Sequence, residues 1–148
     1  MLDHHHVPQV DLNFMNRDCE ETLGLCNRLE ALLEGDAPMD HIDAIDGDFS
    51  ALLTLHHKHF ARENREMEKY GFPAYGLHLA EHCHLLEDMR VELEHWRARR
   101  DLVRLKDYLL MEFPHWLMNH LVQMDTVSAT YVNRVRHCDL DQGEGFKG

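Results

Sequence analysis

The sequence predicts an all-α domain, an up-down-up-down four-helix bundle, and three observations carry that expectation. Apolar residues recur at three- and four-residue steps through four long stretches. Short breaks, most of them marked by Gly or Pro, separate those stretches, and nowhere does the chain alternate in the two-residue rhythm of a strand. At 148 residues the chain is the size of one domain, and four apolar stripes are buried most simply against one another. A helical hairpin that dimerises is the alternative, but the length favours a bundle within one chain.

Residues 1–10, with their His triplet and Pro8, form an irregular lead-in. From Asp11 the positions Leu12, Met15, Cys19, Thr22, Cys26, Leu29 and Leu33 make one helix face, which ends near Gly35 in the GDAP stretch. A second helix spans about His41 to Lys69, with Ile42, Ile45, Phe49, Leu52, His56, His59, Glu63 and Met67 inward, and the YGFP segment stops it. The third spans about Ala74 to Arg97, with Tyr75, His78, His82, Leu85, Met89 and Trp96 on one stripe, and RARRD forms the turn. The last stretch spans about Asp101 to Arg136, and Pro114 is expected to kink it by removing a backbone donor and crowding the preceding turn. The tail from His137 to Gly148 is expected to fray, so that residues 1–148 read as one domain.

Lys and Arg number 15 and Asp and Glu 27, a formal charge of −12. Such a body is repelled by nucleic-acid phosphates and by anionic membranes, so neither is an expected partner. No run reaches the roughly 18 apolar residues of a membrane span, and no signal peptide is apparent, which predicts a cytoplasmic protein. Cys19, Cys26, Cys83 and Cys138 form no C-x-x-C unit and read as reduced thiols. Histidine stands out at 14 residues, pointing to metal or proton chemistry.

Within the apolar stripes stand His59, Glu63, His78 and His82. Burying ionisable groups costs several kcal/mol unless a partner compensates, and a metal ion is one such partner. His59 and Glu63 are four residues apart, as are His78 and His82, so each pair projects from one helix face. Composition alone yields about one His-x-x-x-His pair by chance, so register across helices matters more than spacing. At 1.5 Å per residue, Cys19 lies roughly 12 Å up the first helix, and His59 and Glu63 lie roughly 15 and 9 Å from the far end of the second. His78 and His82 stand roughly 6 and 12 Å into the third, and Asp125 roughly 17 Å from the end of the last. In an antiparallel bundle these heights coincide, with His120 falling about a turn and a half further along.

His59-Phe60 with Glu63 and Met67, then His78 and His82, then Trp116-Leu117-x-x-His120-Leu121-x-x-x-Asp125 together resemble the hemerythrin-like, or HHE cation-binding, domain family, which includes the bacteriohemerythrins. The resemblance covers about residues 14 to 132. It implies a non-heme site of two iron ions, bridged by oxo or hydroxo and by carboxylates, that binds O2 reversibly in the best-known members. Under it, His78, His82 and His120 hold one iron, Glu63 and Asp125 bridge, and His59 serves the other iron, which keeps an open position. The family's second histidine on that iron belongs to a pattern like Met-Asp-x-x-His in the first helix. Here Met15-Asn16-Arg17-Asp18-Cys19 puts a cysteine in its place.

A thiolate ligand is softer and more electron-donating than imidazole, which disfavours a plain O2 carrier and points toward O–O cleavage or sulfur oxidation. The competing reading makes Cys19 a small buried core residue, as most free helical cysteines are. The resulting expectation is a di-iron protein that binds O2, NO or peroxide and senses or handles it. An oxidoreductase reducing those molecules, and iron storage or delivery, are the alternatives. Manganese or zinc also suits nitrogen and oxygen donors, though iron is favoured by the resemblance. No protein partner is indicated. Glu92-x-x-His95 and Glu112-x-x-His115 mimic the Glu-x-x-His units of ferritin-like carboxylate proteins, but both flank a single turn at the opposite end of the bundle.

Overall fold

A computed structural model describes residues 13–145, with side chains for residues 14–136. The lead-in at residues 1–10, the expected helix start at residues 11 and 12, and residues 146–148 lie outside the described residues. Three α-helices come first: α1 (Asn13–Glu34), α2 (Ile42–Lys69) and α3 (Tyr75–Arg99), with one 3-10 turn (Pro38–His41) ahead of α2. A fourth helical column fills residues 102–145, and its backbone remains helical through the tail as far as Gly145. This is the four-helix bundle read from the sequence. No strand occurs among the described residues, and none of their helices is long and apolar enough to cross a membrane.

The breaks have local causes. A Cβ on Gly35 would stand 2.9 Å from the Ala31 carbonyl oxygen, so only glycine lets the chain leave α1 this tightly. At the end of α2, Gly71 takes φ +65°, while Phe72 N–H donates to the Met67 carbonyl at 2.9 Å. Arg100 closes α3 in the left-handed region, and the Asp101 carboxylate then accepts from Arg104 N–H to cap the fourth column. At that end of the bundle, Asp46 accepts from Trp96 Nε1 at 2.7 Å and from both terminal nitrogens of Arg100, tying the start of α2 to the end of α3.

The fourth column is not uniformly α-helical. It contains two π-helical turns, Asp107–Glu112 and Leu121–Asp125, set between α-helical Leu102–Lys106, Phe113–His120 and Thr126–Gly145. The sequence predicts a kink at Pro114, and the structure places the wide turn of residues 107–112 just before it. Widening the turn draws the upstream carbonyls away from the proline ring, which has no N–H to offer them.

Two apolar clusters form the core. The larger one includes Leu29, Leu33, Phe49, Leu52, Met89, Trp96 and Phe113, and the smaller one includes Phe14, Met15, Met67, Phe72, Ala129 and Val132. His59, Glu63, His78, His82, His120 and Asp125, each at most 6% exposed, are buried in the same bundle. Buried ionisable groups in that number need a compensating partner.

Candidate metal centre

Glu63 on α2, His78 and His82 on α3, and His120 and Asp125 on the fourth column each offer one ligand atom, and the five atoms lie within 4.8 Å of one another. The i, i+4 spacing aligns His78 with His82 on α3. His120 and Asp125 are five apart, which on a regular α-helix leaves them about 140° out of line. The π turn Leu121–Asp125 closes that angle and brings both to one side, and Thr126 Oγ donates to the Leu121 carbonyl at 2.8 Å within it.

The imidazoles are locked from behind. His82 Nδ1 donates to Asn64 Oδ1 at 2.8 Å, and His120 Nδ1 donates to Glu81 Oε1 at 3.1 Å, a carboxylate that can only accept. Phe60 stacks on the His82 ring with centroids 3.8 Å apart and planes 2° off parallel. Trp116 stacks on His120 at 4.6 Å and 12°. With Nδ1 committed outward, the Nε2 lone pairs of His82 and His120 face inward, 3.1 Å from each other, and His78 Nε2 is also 3.1 Å from His120 Nε2.

That inward geometry tests whether a cation fits. Two lone pairs at 3.1 Å repel, and one proton cannot serve three nitrogens. Asp125 Oδ1 approaches His120 Nε2 at 2.8 Å and His78 Nε2 at 3.0 Å, yet it has no aligned hydrogen-bond donor, and Glu63 Oε2 has none either. Inward lone pairs and unpartnered carboxylate oxygens are a donor set without an acceptor for its electrons, which a divalent cation supplies.

The electrostatics agree. Burial, reinforced by His78 and His120, pushes the His82 pKa down to about 2, so the ring is a neutral donor. Burial would raise Asp125, but His120 and His78, when they carry protons, outweigh it and hold the carboxyl low, and Asp125 and Glu81 in turn raise His120, so without a cation a proton is drawn to the place between them. Glu63 goes the other way, well above the usual range, because it is buried beside Asp125 and Asp18. Without a cation, that carboxyl keeps a proton that a metal would displace.

His59 is not in the five-membered group. It stands with Asp18 and Glu21, whose ligand atoms and its own also lie within 4.8 Å of one another. Cys19 belongs to neither group, but it lines the same small cavity, about 30 Å³, as Asp18, His56, His59, Glu63, His120 and Asp125. Burial and the nearby Asp125 and Glu63 push its thiol up to about 12. Cys19, Cys26 and Cys83 are free.

Several contributors are hard to read from sequence. Asp18, Asn64 and Glu81 are polar helical residues whose reach across the bundle leaves no periodic signal; only the position of Asp18 beside the inward Cys19 hinted at it. His56, on the inward stripe of the second helix, is 2% exposed and donates from Nδ1 to the Leu52 carbonyl at 2.9 Å. The rival Glu-x-x-His units form no ligand group among the described residues: Glu92 pairs with Arg104, and His115 contacts Asn119.

The chain is 27% identical over 124 residues to a bacteriohemerythrin of Aquifex aeolicus, an alignment covering 83% of this chain and 91% of that one. It is 31% identical over 107 residues to a bacteriohemerythrin of Ralstonia nicotianae, covering 72% and 73%. No family model and no solved structure matches it.

Proposed function

Because the chain belongs to the hemerythrin-like family, we propose that it is a non-heme di-iron protein that captures O2, or a related molecule such as NO or peroxide, and senses or handles it by redox change. The observation that carries this reading is the inward convergence of three imidazole Nε2 atoms on unpartnered carboxylate oxygens. On this reading His78, His82 and His120 would hold one iron, His59 with Cys19 would hold the other, and the Glu63 and Asp125 carboxylates would serve both. When bound, the iron pair supplies electrons and an open position for a small molecule.

The chain's own residues do the rest. Glu81 and Asn64 fix the ring orientation of His120 and His82, and Phe60 and Trp116 hold those rings against rotation. Phe60, Leu117 and Leu121 wall the cavity, and its volume of about 30 Å³ suits a molecule of a few atoms. His56 borders the same cavity; with its Nδ1 donating to Leu52, its Nε2 is left as an acceptor that can orient a guest. The Cys19 thiol holds its proton until a cation takes its place. The free thiols suit the reducing cytoplasm.

Iron-loaded protein, reduced anaerobically and then exposed to O2 or NO, is expected to change its visible absorption; an unchanged spectrum contradicts the reading. A sulfur-to-iron charge-transfer band present in the wild type and absent from Cys19→His would assign the cysteine as a ligand. The thiol on the cavity wall also favours a second reading, an oxidoreductase that turns over peroxide, O2 or NO. Many turnovers with a reductant, lost in Cys19→Ser, would select it, and a single stoichiometric reaction would reject it.

A further inference from the structure

Resting on the metal reading above, we propose that Asp18 is a metal ligand of this chain, holding the second cation together with His59 and with Glu21 at the rim. The motif shared with the family does not call for a carboxylate at position 18.

Asp18 Oδ1 lies 3.3 Å from His59 Nε2, and Glu21 Oε2 lies 3.9 Å from it. Asp18 and Glu21 are three residues apart on α1 and so share an edge of that helix facing α2. The approach of Asp18 to His59 is not a hydrogen bond. His59 is 4% exposed, yet its Nε2 has no hydrogen-bond partner, and the other carboxylate oxygen, Asp18 Oδ2, has none either. A buried imidazole and a buried carboxylate that face each other without bonding leave both desolvated, and a cation between them relieves both.

The three residues are also placed for delivery. The five inner donors are buried, whereas the Glu21 side chain is 56% exposed, so the outer position can be reached from solvent. Asp18, His59 and Cys19 line the same cavity as the inner Glu63, His120 and Asp125, so the outer position adjoins the inner one. One imidazole and two carboxylates form a hard donor set suited to ferrous or manganous ions, and the adjacent Cys19 adds sulfur on the inner side. A cation entering here meets Glu21 first, then Asp18 and His59, and the inner histidines last.

Anaerobic titration with Co2+, followed by visible absorption and by metal counting after desalting, tests the assignment. Wild-type protein is expected to bind two Co2+ per chain. Asp18→Asn is expected to keep the inner ion, with its spectrum, and to weaken the outer one at least tenfold. Glu21→Gln is expected to weaken the outer ion several-fold, and Asp18→Glu to restore part of the binding. Asp18→Asn with two Co2+ at wild-type affinity overturns this assignment and leaves the inner site standing; so does a wild type that binds a single ion. A wild type that binds none overturns the metal reading and this one with it. If Asp18→Asn loses its helical circular dichroism, Glu21→Gln decides, and unchanged two-site binding in that variant is the refuting result.

Discussion

Acidifying metal-free protein should destabilise it, and His56 allows the size of part of that effect to be worked out. The ring lies inside the bundle, edge-on to Phe60 and Phe113, with His59 and His120 nearby. Burial lowers its pKa from 6.5 to about 4. A histidine that resists protonation when folded contributes full stability above its unfolded pKa. That contribution falls as the pH drops below 6.5 and levels off below about 4. Near pH 5 the unfolded ring is almost fully protonated and the folded ring hardly at all. At about 1.4 kcal/mol per pH unit, that is a loss of about 2 kcal/mol relative to pH 7.5. His56→Leu removes the titration; it also removes the bond to Leu52, a cost that does not depend on pH. Urea unfolding of chelator-treated protein at both pH values should show the gap between wild type and variant shrinking by about 2 kcal/mol on acidification. A gap that stays constant would refute a buried, neutral His56.

Other perturbations separate the metal site from the scaffold. Phe60→Ala removes a buried ring and the stack on His82, so urea unfolding should show a loss of about 3 kcal/mol, and metal titration a weaker inner ion. Glu81→Ala should leave His120 free to turn and lower metal affinity by about tenfold or more, as read by competition with a chelator. Asp46→Ala breaks the Trp96 and Arg100 bonds at the other end of the bundle; thermal unfolding should show a cost on the order of 1 kcal/mol while metal content stays unchanged. Removing the metal with a chelator should lower the melting temperature, by an amount equivalent to about 2.7 kcal/mol where the free ion had stood at 100 times its Kd.

Much of this was legible in the sequence because helices write their buried face at fixed intervals. The stripe running Ile45, Phe49, Leu52, His56, His59, Glu63 and Met67 is buried along its whole length, and the ionisable residues within it are the ones that demand a partner. His78 and His82 were legible for the same reason. The meeting of His120 with Asp125 was legible only through the family resemblance, because helical spacing alone leaves a five-residue step misaligned and the structure closes it with a π turn. The supports escaped for a different reason. Glu81 and Asn64 resemble the many solvated polar residues on these helices, and what sets them apart is a hydrogen bond across the bundle. Asp18 was overshadowed by its neighbour Cys19, whose place in the apolar stripe draws attention, while the carboxylate beside His59 lies at the edge of that stripe. The local breaks were easier, since Gly35 and Gly71 each mark a position that side-chain-bearing residues fill poorly.

The central claim is that imidazoles and carboxylates from the helices meet around paired cations, with Cys19 sulfur beside them. X-ray absorption at the iron edge of anaerobically loaded protein tests it most directly. The account predicts strong imidazole multiple scattering, a nitrogen and oxygen first shell, an iron–iron vector, and a sulfur contribution that disappears in Cys19→Ser. Iron surrounded by oxygen alone, with neither imidazole scattering nor an iron neighbour, would contradict it.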